Sequence, residues 1–597
     1  MTGTLAGRLW RDRTRTAGGG PGDGTSGSRS LVFGPLGLTV GGRAALHQAG
    51  NVIVAVTGGL LDRPVPNGAH GDGNGTPLDS AAPIAAAWRA TGERCLADLP
   101  GDWLAIVWEP GIGRLTCARS ARGPVRLFWC LGDGGFRFAT RLAELSPAAG
   151  PAWRLNEDFL GELLANRITR DDSTPFAGVH RLPVGHLLQV TAEGTVRVRR
   201  WHHQDRTPLR IDRPTAVIEL RQRLETVLAD YVSPAGAGVL VSGGIDSTGV
   251  LGLARRVAGD RPIAACALTF PGQPHDESGW LDLIDVHAGG GDNAVRRLVP
   301  PAYDWPQWTG WSATSLLPPI RPNGAAIQAT AGPLQAAGVH RVLTGEGGDD
   351  WYGGGPPHWA VQVGRGRPGP VWRAARAAYP GWKPSLSMFW YAGVAPLLPT
   401  VRRTPVPAWI GAGFAGRTRL AQRLRAADAA ARRAVRDPVA ARLARVDQPT
   451  WMWRTEAMRQ RFAEGGVDLL HPLHDQRIVD LVARLPGEVL WRPDETKTLL
   501  RAAVADVVPP EILRRQSKAE FGGPVADAIR TVGGTRLLTG HPLVSEGYIH
   551  LPALRELEHR ALACHDAGRR PRHAGEALGT LWAVLSTAVW FSAVWPP

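Results

Sequence analysis

The sequence predicts two unlike domains: an α+β layered domain rich in short strands, then an α/β domain with a doubly wound parallel sheet and helical additions. A chain of 597 residues is too long for one hydrophobic core, so at least two domains are expected. Short apolar runs separated by turn signals fill residues 31–205, a pattern typical of strands. From residue 217 apolar strands alternate with helices, and that alternation favours a parallel sheet.

The first domain, residues 31–205, is predicted from five strand-like runs. Helical patterns near 81–90 and 156–165 interrupt these runs, which indicates layers of helix and sheet. The polar, proline-containing residues 206–216 predict a linker, and residues 217–597 form the second domain. The strand-like runs are 51–59, 102–109, 114–120, 125–130 and 136–140.

The N-terminal residues 1–30 are rich in Gly and Arg and contain no apolar core of the kind found in a signal peptide. Their composition predicts a disordered tail, because such a segment buries too little apolar surface to offset its ordering entropy. Deletion of residues 2–28 is therefore expected to be tolerated.

Charge and cysteine content narrow the class of protein. The net charge of +15 is carried by dispersed arginines without a nucleic-acid-binding motif, so no nucleic-acid partner is expected. No apolar run reaches the ~18 residues that span a bilayer, so no membrane contact is expected. Five cysteines, an odd number without a C-x-x-C pair, favour free thiols in a reducing cytoplasm. The 17 histidines show no metal-binding spacing, and no catalytic histidine is assigned.

Two glycine-rich loops each follow an apolar strand in the second domain. The first is in "VLVSGGIDST", residues 239–248, and the second in "HRVLTGEGGDD", residues 340–350. In doubly wound sheets, ligands bind at the carboxyl ends of strands, where both loops would lie. A third loop after the strand 263–270 carries His275, Asp276 and Glu277, which are equally compatible with a supporting role and with a plain loop.

The first loop has the composition of an anion-binding turn. Gly243 and Gly244 allow backbone N–H groups to approach phosphate oxygens, and the helix that follows adds its positive end. The hydroxyls of Ser242, Ser247 and Thr248 are further donors. The G-x-x-x-x-G-K-[ST] pattern is absent, so this is not a Walker P-loop.

Asp246 in that loop indicates a magnesium ion. A carboxylate beside a polyphosphate is unfavourable unless Mg²⁺ lies between them, and Mg²⁺ commonly takes one or two carboxylates together with substrate phosphates. A second carboxylate is therefore expected. The second loop supplies Glu346, Asp349 and Asp350.

Lysine is scarce: it occurs only at 383, 497 and 518, so 65 of the 68 basic residues are Arg. The stretch "PDETKTLLRAAVADVV" predicts a helix with Asp494 as its N-cap, which places Lys497 at the third helical position. The helix dipole disfavours a cation in the first turn, so Lys497 is a candidate for function.

The motifs together resemble one enzyme family. "SGGIDS" is similar to the PP-loop signature of ATP pyrophosphatases, and "LTGEGGDDWYGG" to the second signature of the asparagine synthetase B-like family. The segments "HPLHDQRIVDLVARLP" (471–486) and "ETKTLLRAAVADVVPPEILRRQSKAEF" (495–521) resemble that family too. "LPGDWLAIVWE" and "FAGVHRLPVGHLLQV" (176–190) resemble its glutaminase-type N-terminal nucleophile domain. The resemblance extends from about residue 40 to 525.

Members of the family use ATP to adenylate a carboxylate, release pyrophosphate and let an amine attack the acyl-adenylate, so the resemblance implies ATP and Mg²⁺. It assigns pyrophosphate to Ser242, Gly243, Gly244 and Ser247, and Mg²⁺ to Asp246 and Asp349. Lys518, in "RRQSKAEF", is expected to contact pyrophosphate or to order its loop. It places the nucleoside against the backbones around Leu240, Leu268, Thr344 and Gly345. It assigns Glu346 as an active-site Glu of variable role and Lys497 as the lysine that stabilises charge on the adenylated intermediate.

Residue 2 bears on the source of the amine. Asparagine-forming members take ammonia from glutamine with a Cys at residue 2, whereas this chain has Thr2. Thr can act as an N-terminal nucleophile, but it must be held rigidly, and Thr2 heads the predicted tail. The glutaminase-like domain is therefore predicted to be degenerate and to serve as a scaffold.

Without ammonia, the amine is expected to come from the substrate itself. Lasso peptide cyclases and β-lactam synthetases are two branches of the family that work in this way. The length, the Gly-Gly-Asp-Asp form of the second loop, "RRQSKAEF" and the Trp/Arg-rich helical residues 365–450 favour a lasso peptide cyclase. Its substrate would be a precursor peptide, with a leader-binding protein and a leader protease as partners. A β-lactam synthetase-like or asparagine synthetase-like ligase and a non-catalytic scaffold are the alternatives.

Overall fold

The computed structural model describes most of the chain. The described residues are 4–9, 28–33, 36–41, 44–58, 81–132, 135–145, 153–301, 305–319, 321–351, 356–379, 381–398, 405–435, 437–492, 495–515, 522–567 and 574–595.

In the part of the chain that the structure describes, the N-terminal domain is a sandwich of two six-stranded antiparallel sheets. The order in one sheet is β10-β8-β9-β1-β3-β2 and in the other β12-β11-β7-β6-β5-β4. The strands are Thr4–Leu9 (β1), Ser28–Phe33 (β2), Leu36–Gly41 (β3), Ala45–Ala49 (β4), Val52–Gly58 (β5), Trp103–Glu109 (β6), Arg114–Arg119 (β7), Phe128–Gly132 (β8), Gly135–Ala139 (β9), Val179–Arg181 (β10), His186–Thr191 (β11) and Val196–Arg200 (β12). The helices are Ala81–Thr91 (α1), Leu142–Leu145 (α2) and Glu157–Leu164 (α3).

Alternation of side chains along the strands builds the layers of this domain. In β5, Ile53 belongs to the core between the sheets, whereas its neighbours Val52 and Val54 belong to a second core under α1. Both faces of the strand are buried, so β5 is apolar at almost every position. The predicted α+β layering is confirmed.

Strand β1 contradicts the predicted N-terminal tail. It lies inside its sheet, pairs with β3 from Thr4 to Leu9 and with β9 from Ala6 to Leu9, and buries Leu5 and Leu9. The prediction that residues 1–30 are disordered is therefore wrong for Thr4–Leu9 and for the start of β2. Thr2 lies outside the described residues. Because the paired strand β1 begins two residues after Thr2, the premise that a long mobile tail follows Thr2 is removed.

The C-terminal domain contains a five-stranded, fully parallel sheet of order β15-β14-β13-β16-β17. Its strands are Ala237–Leu240 (β13), Ile263–Leu268 (β14), Arg296–Leu298 (β15), Arg341–Leu343 (β16) and Asp468–Leu470 (β17). After β13 the chain crosses to β14 on one side, and after β16 it crosses to β17 on the other. The topological switch point therefore lies between β13 and β16, as a doubly wound sheet requires.

Helices surround this sheet and extend it. They are Arg213–Tyr231 (α4), Ile245–Ala258 (α5), Ser278–His287 (α6), Trp305–Ser315 (α7), Gly324–Ala329 (α8), Ala331–Ala336 (α9), Gly348–Trp351 (α10), Pro356–Gly364 (α11), Pro368–Ala378 (α12), Trp382–Met388 (α13), Ala412–Arg417 (α14), Leu420–Val435 (α15), Pro438–Val446 (α16), Pro449–Glu464 (α17), Gln476–Val482 (α18), Gly487–Leu490 (α19), Thr498–Ala503 (α20), Pro510–Arg514 (α21), Gly522–Thr531 (α22), Pro542–Ser545 (α23), Leu551–Asp566 (α24) and Ala574–Val594 (α25). Helix α4 begins within the predicted linker, because Asp212 caps it by accepting a hydrogen bond from the Thr215 amide at 3.0 Å.

Helix α25 forms part of a core shared by both domains. Its segment Ala577–Val594 is long and apolar enough to cross a membrane by length and composition, with a mean hydropathy of 1.6, but 72% of it is buried within the protein. Trp582 and Trp590 are fully buried and pack in one cluster with Phe128 of the N-terminal sheet. The segment is therefore a core helix that holds the two domains together.

Candidate active site

Both glycine-rich loops lie at the switch point and touch each other. A Cβ atom at Gly345 would lie 2.5 Å from the Ser247 backbone N, and one at Gly348 would lie 2.1 Å from Asp246 Cγ. Only glycine permits this approach. The predicted meeting of the two loops is confirmed.

The first loop folds onto the start of α5 through its hydroxyl groups. The Ser242 amide donates a hydrogen bond to Ser247 Oγ at 2.9 Å, and the Gly244 amide donates to Ser242 Oγ at 3.3 Å. Thr248 Oγ1 donates to the Gly244 carbonyl at 2.8 Å. Gly244 is the N-cap of α5, a helix of 14 residues whose positive end faces the loop. Amides, hydroxyls and helix end together make a site suited to an anion.

Lys497 joins the acidic residues of the two loops. Its Nζ atom contacts Asp246 Oδ2 and lies 2.7 Å from Asp349 Oδ1. Burial alone would lower the pKa of Lys497, but the two carboxylates outweigh it and raise the pKa, so the lysine is charged. The predicted helical position is wrong: α20 begins at Thr498, and Lys497 is its N-cap in the left-handed region at φ 56°. Asp494 lies outside the described residues.

The two carboxylates fit a magnesium ion. Asp246 and Asp349 approach one point from different loops, as their shared contact with one ammonium shows. Among the described residues no group of three or more His, Cys, Asp or Glu could hold a metal, so further ligands would come from phosphate or water. Oxygen ligands with only one or two carboxylates are what Mg²⁺ takes in nucleotide sites.

Glu346, on the same loop, is held by Arg321, which the sequence had not indicated. The two side chains form an ion pair. Burial would raise the pKa of Glu346, but the Arg321 guanidinium outweighs it and lowers the pKa to about 2. Beside them, Thr344 Oγ1 and His471 Nδ1 lie 2.7 Å apart. Burial lowers the pKa of His471 to about 3, so this histidine is neutral.

Arg515 supports the first loop from the other side. Its Nη1 donates to the Gly243 carbonyl at 2.7 Å and lies 2.8 Å from Glu277 Oε1, and its guanidinium lies 4.4 Å from the centre of the Trp280 ring. Glu277 therefore has a supporting role, one of the two that its sequence position allowed. Lys518 lies outside the described residues, so its predicted contact with pyrophosphate stays a prediction.

Asp276 and His275 have local contacts after β14. Asp276 Oδ1 accepts hydrogen bonds from the Phe270 amide at 2.8 Å and from Ser278 Oγ at 3.0 Å. The His275 ring lies against Phe270, with 4.6 Å between the ring centres. These contacts fix the turn that leads into α6, which carries Trp280.

The residues predicted to line the nucleoside stand at the ends of neighbouring strands. Leu240 ends β13 and pairs with Cys266 of β14, whose last residue is Leu268. Thr344 and Gly345 follow β16 on the other side of β13. The sheet thus brings all four to the edge where the two loops meet, and their roles there stay predictions.

A loop suited to an anion, two converging carboxylates and a lysine thus meet at the switch point of a parallel sheet, where doubly wound folds bind their ligands. Residues 219–592 match the family model described as Asparagine synthase, and residues 79–202 match that of a Glutamine amidotransferase domain. The first match covers more than half of the chain, which therefore belongs to the asparagine synthase family.

Two curated proteins are similar to parts of the chain at low sequence identity. "Amidase chry2" of Gibberella zeae is 24% identical over 296 residues, 45% of this chain and 42% of the relative. "Carboxyethyl-arginine beta-lactam-synthase" of Streptomyces clavuligerus is 25% identical over 250 residues, 40% of this chain and 44% of the relative. The chain thus spans less than half the length of these relatives.

A solved structure of glutamine phosphoribosylpyrophosphate (PRPP) amidotransferase from B. subtilis is also similar to the chain. The match covers 57% of this chain and 68% of that protein at 11% identity, and its TM-score of 0.22 is low.

Proposed function

We propose that the protein is an ATP-dependent ligase of the lasso peptide cyclase type. It adenylates an Asp or Glu side chain of a precursor peptide and joins that carbon to the peptide's N-terminal amine, releasing AMP and pyrophosphate. The observation that carries the proposal is the contact of Lys497 with Asp246 and Asp349 beside the anion-binding loop. A non-catalytic scaffold has no need to keep these three groups in contact.

Different residues of the chain act in the two steps, which are adenylation of the carboxylate and attack by the amine. The loop and the end of α5 bind the pyrophosphate that leaves when a substrate carboxylate oxygen attacks the α-phosphorus of ATP. Asp246 and Asp349 would hold Mg²⁺, which neutralises charge on the phosphates when bound. Lys497, which stands beside both carboxylates, would direct its ammonium to the charge on the acyl-adenylate.

Glu346 acts in the second step, when the amine nitrogen attacks the acyl carbon and AMP leaves. Because Arg321 keeps this carboxylate ionised, Glu346 can accept a hydrogen bond from the incoming amine. A carboxylate whose pKa is about 2 is too weak a base to remove the amine's proton at neutral pH. Glu346 therefore orients the amine, and the proton passes to water.

The peptide substrate is supported by the helical region after the second loop, which exposes aromatic and cationic side chains. A relative named for the synthesis of a β-lactam supports ring closure, and a β-lactam synthetase-like ligase is the second candidate. All five cysteines are free thiols, which suits the cytoplasm proposed here as the site of action. A leader-binding protein and a leader protease belong to the same proposal.

Replacing Asp246 by Ala tests the proposal. The variant should form AMP at least ~100-fold more slowly from ATP and a precursor peptide encoded beside the gene, because charge on the leaving pyrophosphate is no longer neutralised. Asp282→Asn is the matched control, since this carboxylate is 61% exposed and pairs only on the surface with Arg297. Product that accumulates with ADP and phosphate instead of AMP would refute the proposal.

A further inference from the structure

The segment between Asp350 and Asp428 contains no acidic residue. Across residues 351–427 the sequence has ten Arg and one Lys, and no Asp or Glu. A surface region with one sign of charge creates a field that attracts molecules of the opposite sign. Helices α11 to α13 lie in this segment, and residues 356–397 are referred to as the cap.

The cap has a small core of its own. Trp359 of α11, Val371 of α12, Met388 of α13 and Ala392 pack together, and Trp491 closes the cluster from outside the cap. After α13 the helix continues as a π-helical turn, Phe389–Val394. Such turns occur frequently at functional sites.

One side of this continuous helix presents a row of large apolar side chains to solvent. Trp382, Leu386 and Trp390 are spaced by four residues, so they share one face, and they are 62%, 48% and 50% exposed. Ser385 and Met388, between them in sequence, are buried. This row, the apolar stripe, has the spacing of a core-facing helix but faces water.

Cations accompany the apolar stripe. Arg365, Arg367, Arg373 and Arg376 are exposed on the approach to α12 and on α12 itself, and none pairs with a carboxylate among the described residues. Lys383 Nζ lies 5.6 Å from the centre of the Trp382 ring. The cap thus combines uncompensated positive charge with aromatic surface.

The cap is joined directly to both catalytic segments. Helix α11 begins five residues after Trp351, the end of the helix that carries Asp349. Trp491, which closes the core of the cap, precedes Lys497 by six residues. The elements of the cap are therefore close along the chain to Asp349 and Lys497.

We propose that the cap binds an acidic segment of the peptide substrate, with carboxylates on the arginines and apolar side chains on the stripe. This inference rests on the proposed function, since it names how that function selects its substrate. Charge complementarity favours an acidic partner, and continuity with the active site favours a substrate. Single-stranded nucleic acid and an anionic membrane also carry negative charge, and the test includes both.

The test measures binding apart from chemistry. The probe is a fluorescein-labelled 12-residue peptide with four Glu and two Phe, followed by fluorescence anisotropy against the full-length protein. The cap variant is Arg373→Ala/Arg376→Ala/Trp390→Ala. The control variant is Arg94→Ala/Arg536→Ala, which removes two exposed arginines outside the cap. All five positions lie on the surface, where substitutions have little effect on stability.

The cap variant should bind the probe at least about tenfold more weakly than the wild type, and the control variant within about twofold. Binding should weaken as salt rises. Equal binding by the two variants, or no binding by the wild type, would overturn the inference. So would tighter binding of a 12-nucleotide oligouridylate or of phosphatidylglycerol vesicles, or concentration-dependent dimers that bury the stripe. AMP formation by the wild type is measured in a separate experiment. A failure of the binding test would therefore refute the role of the cap without refuting the proposed ligase activity.

Discussion

Lys497 combines an unusual backbone with a precise charge contact. A non-glycine residue at φ 56° has a backbone conformational energy roughly 1–2 kcal/mol higher than in the right-handed region. Such residues are found where the surrounding contacts hold them in place. Here the contacts are the carboxylates of Asp246 and Asp349. The ammonium is a compact charge, whereas a guanidinium is a broad planar fork that does not fit the same space.

The Lys497→Arg variant should therefore form the amide at least about tenfold more slowly than the wild type, although it keeps the charge. The reason is that stabilisation of the intermediate depends on the position of the charge. Single-turnover formation of the cyclic product measures this effect. Arg94→Lys, the reverse exchange at an exposed arginine outside the cap, is the control and should retain full activity. Wild-type rates in Lys497→Arg would show that any cation suffices.

The sequence revealed the charged groups of the site but not their supports. Asp246, Asp349 and Lys497 were predictable because each stands in a short motif with its own chemical logic. Arg321 had no such motif, and its partner Glu346 lies 25 residues away. Arg515 is 272 residues from the carbonyl it holds. The half-buried carboxylate of Glu346 is stabilised by a cation, but the sequence does not say which of 65 arginines supplies it.

The Glu346–Arg321 pair makes a pH prediction. The pKa of Glu346 is about 2 in the folded protein, below its ordinary value of 4.5, so the pair stabilises the fold fully above pH 4.5. That stability is lost as the pH falls through about 2. Glu346→Gln should lower the melting temperature at pH 7, by an amount equivalent to about 1–3 kcal/mol, and the difference from wild type should narrow below pH 4.

Scanning calorimetry at pH 7, 4.5 and 3 measures the two proteins side by side. Glu488→Gln is a suitable control, because Glu488 is an exposed carboxylate of α19 without an ion pair among the described residues. A difference between wild type and Glu346→Gln that stays constant with pH would contradict the assigned pair.

At the scale of elements, β1 shows where composition misleads. Its six residues "TLAGRL" contain one glycine and one arginine. They precede a longer Gly/Arg-rich stretch, which determines the average composition of any sequence window that includes both. The strand is specified by partners in β3 and β9, the latter about 130 residues away. By contrast, β13, α5 and β14 were predictable because their apolar runs are continuous and their boundaries carry glycine or proline.

Strand β1 should be essential for stability. Leu5→Ala removes a fully buried side chain from the core between the sheets and should cost about 2–5 kcal/mol. Val32→Ala is the matched control, because Val32 lies on the edge strand β2 and is 45% exposed, so it should cost less than about 1 kcal/mol. Thermal unfolding measures both. Deletion of residues 2–9 should prevent soluble expression, and a stable deletion protein would restore the tail hypothesis.

At the scale of the whole molecule, buried ion pairs fasten the domains to each other. Glu456 of α17 accepts from Arg119 of β7 at 2.6 Å and from Arg181 of β10 at 2.9 Å, and all three side chains are buried. The Arg181 guanidinium also lies 5.4 Å from the centre of the Trp453 ring. Helix α17 runs directly into the loop before β17, whose sheet carries the site. The N-terminal domain therefore supports the catalytic domain, whatever its own activity.

Glu456→Gln should destabilise this interface more than any surface change. It leaves the buried guanidinium of Arg119 without its carboxylate and leaves Arg181 with only the longer contact to Asp171 at 3.8 Å. Breaking one partner of a buried pair typically costs about 3–5 kcal/mol. Because these ion pairs and the shared core hold the two domains together, the effect should appear first as domain separation, which makes the surface segment around Arg206 and Arg210 more easily cleaved by trypsin. Limited proteolysis at rising urea concentrations measures that separation.

Glu556→Gln is the control, because it breaks an exposed pair with Arg560 on α24. The free energy of domain separation derived from its urea midpoint should differ from that of the wild type by less than about 0.5 kcal/mol. Equal midpoints for the two variants would show that the shared apolar core, not the buried ion pairs, holds the domains together.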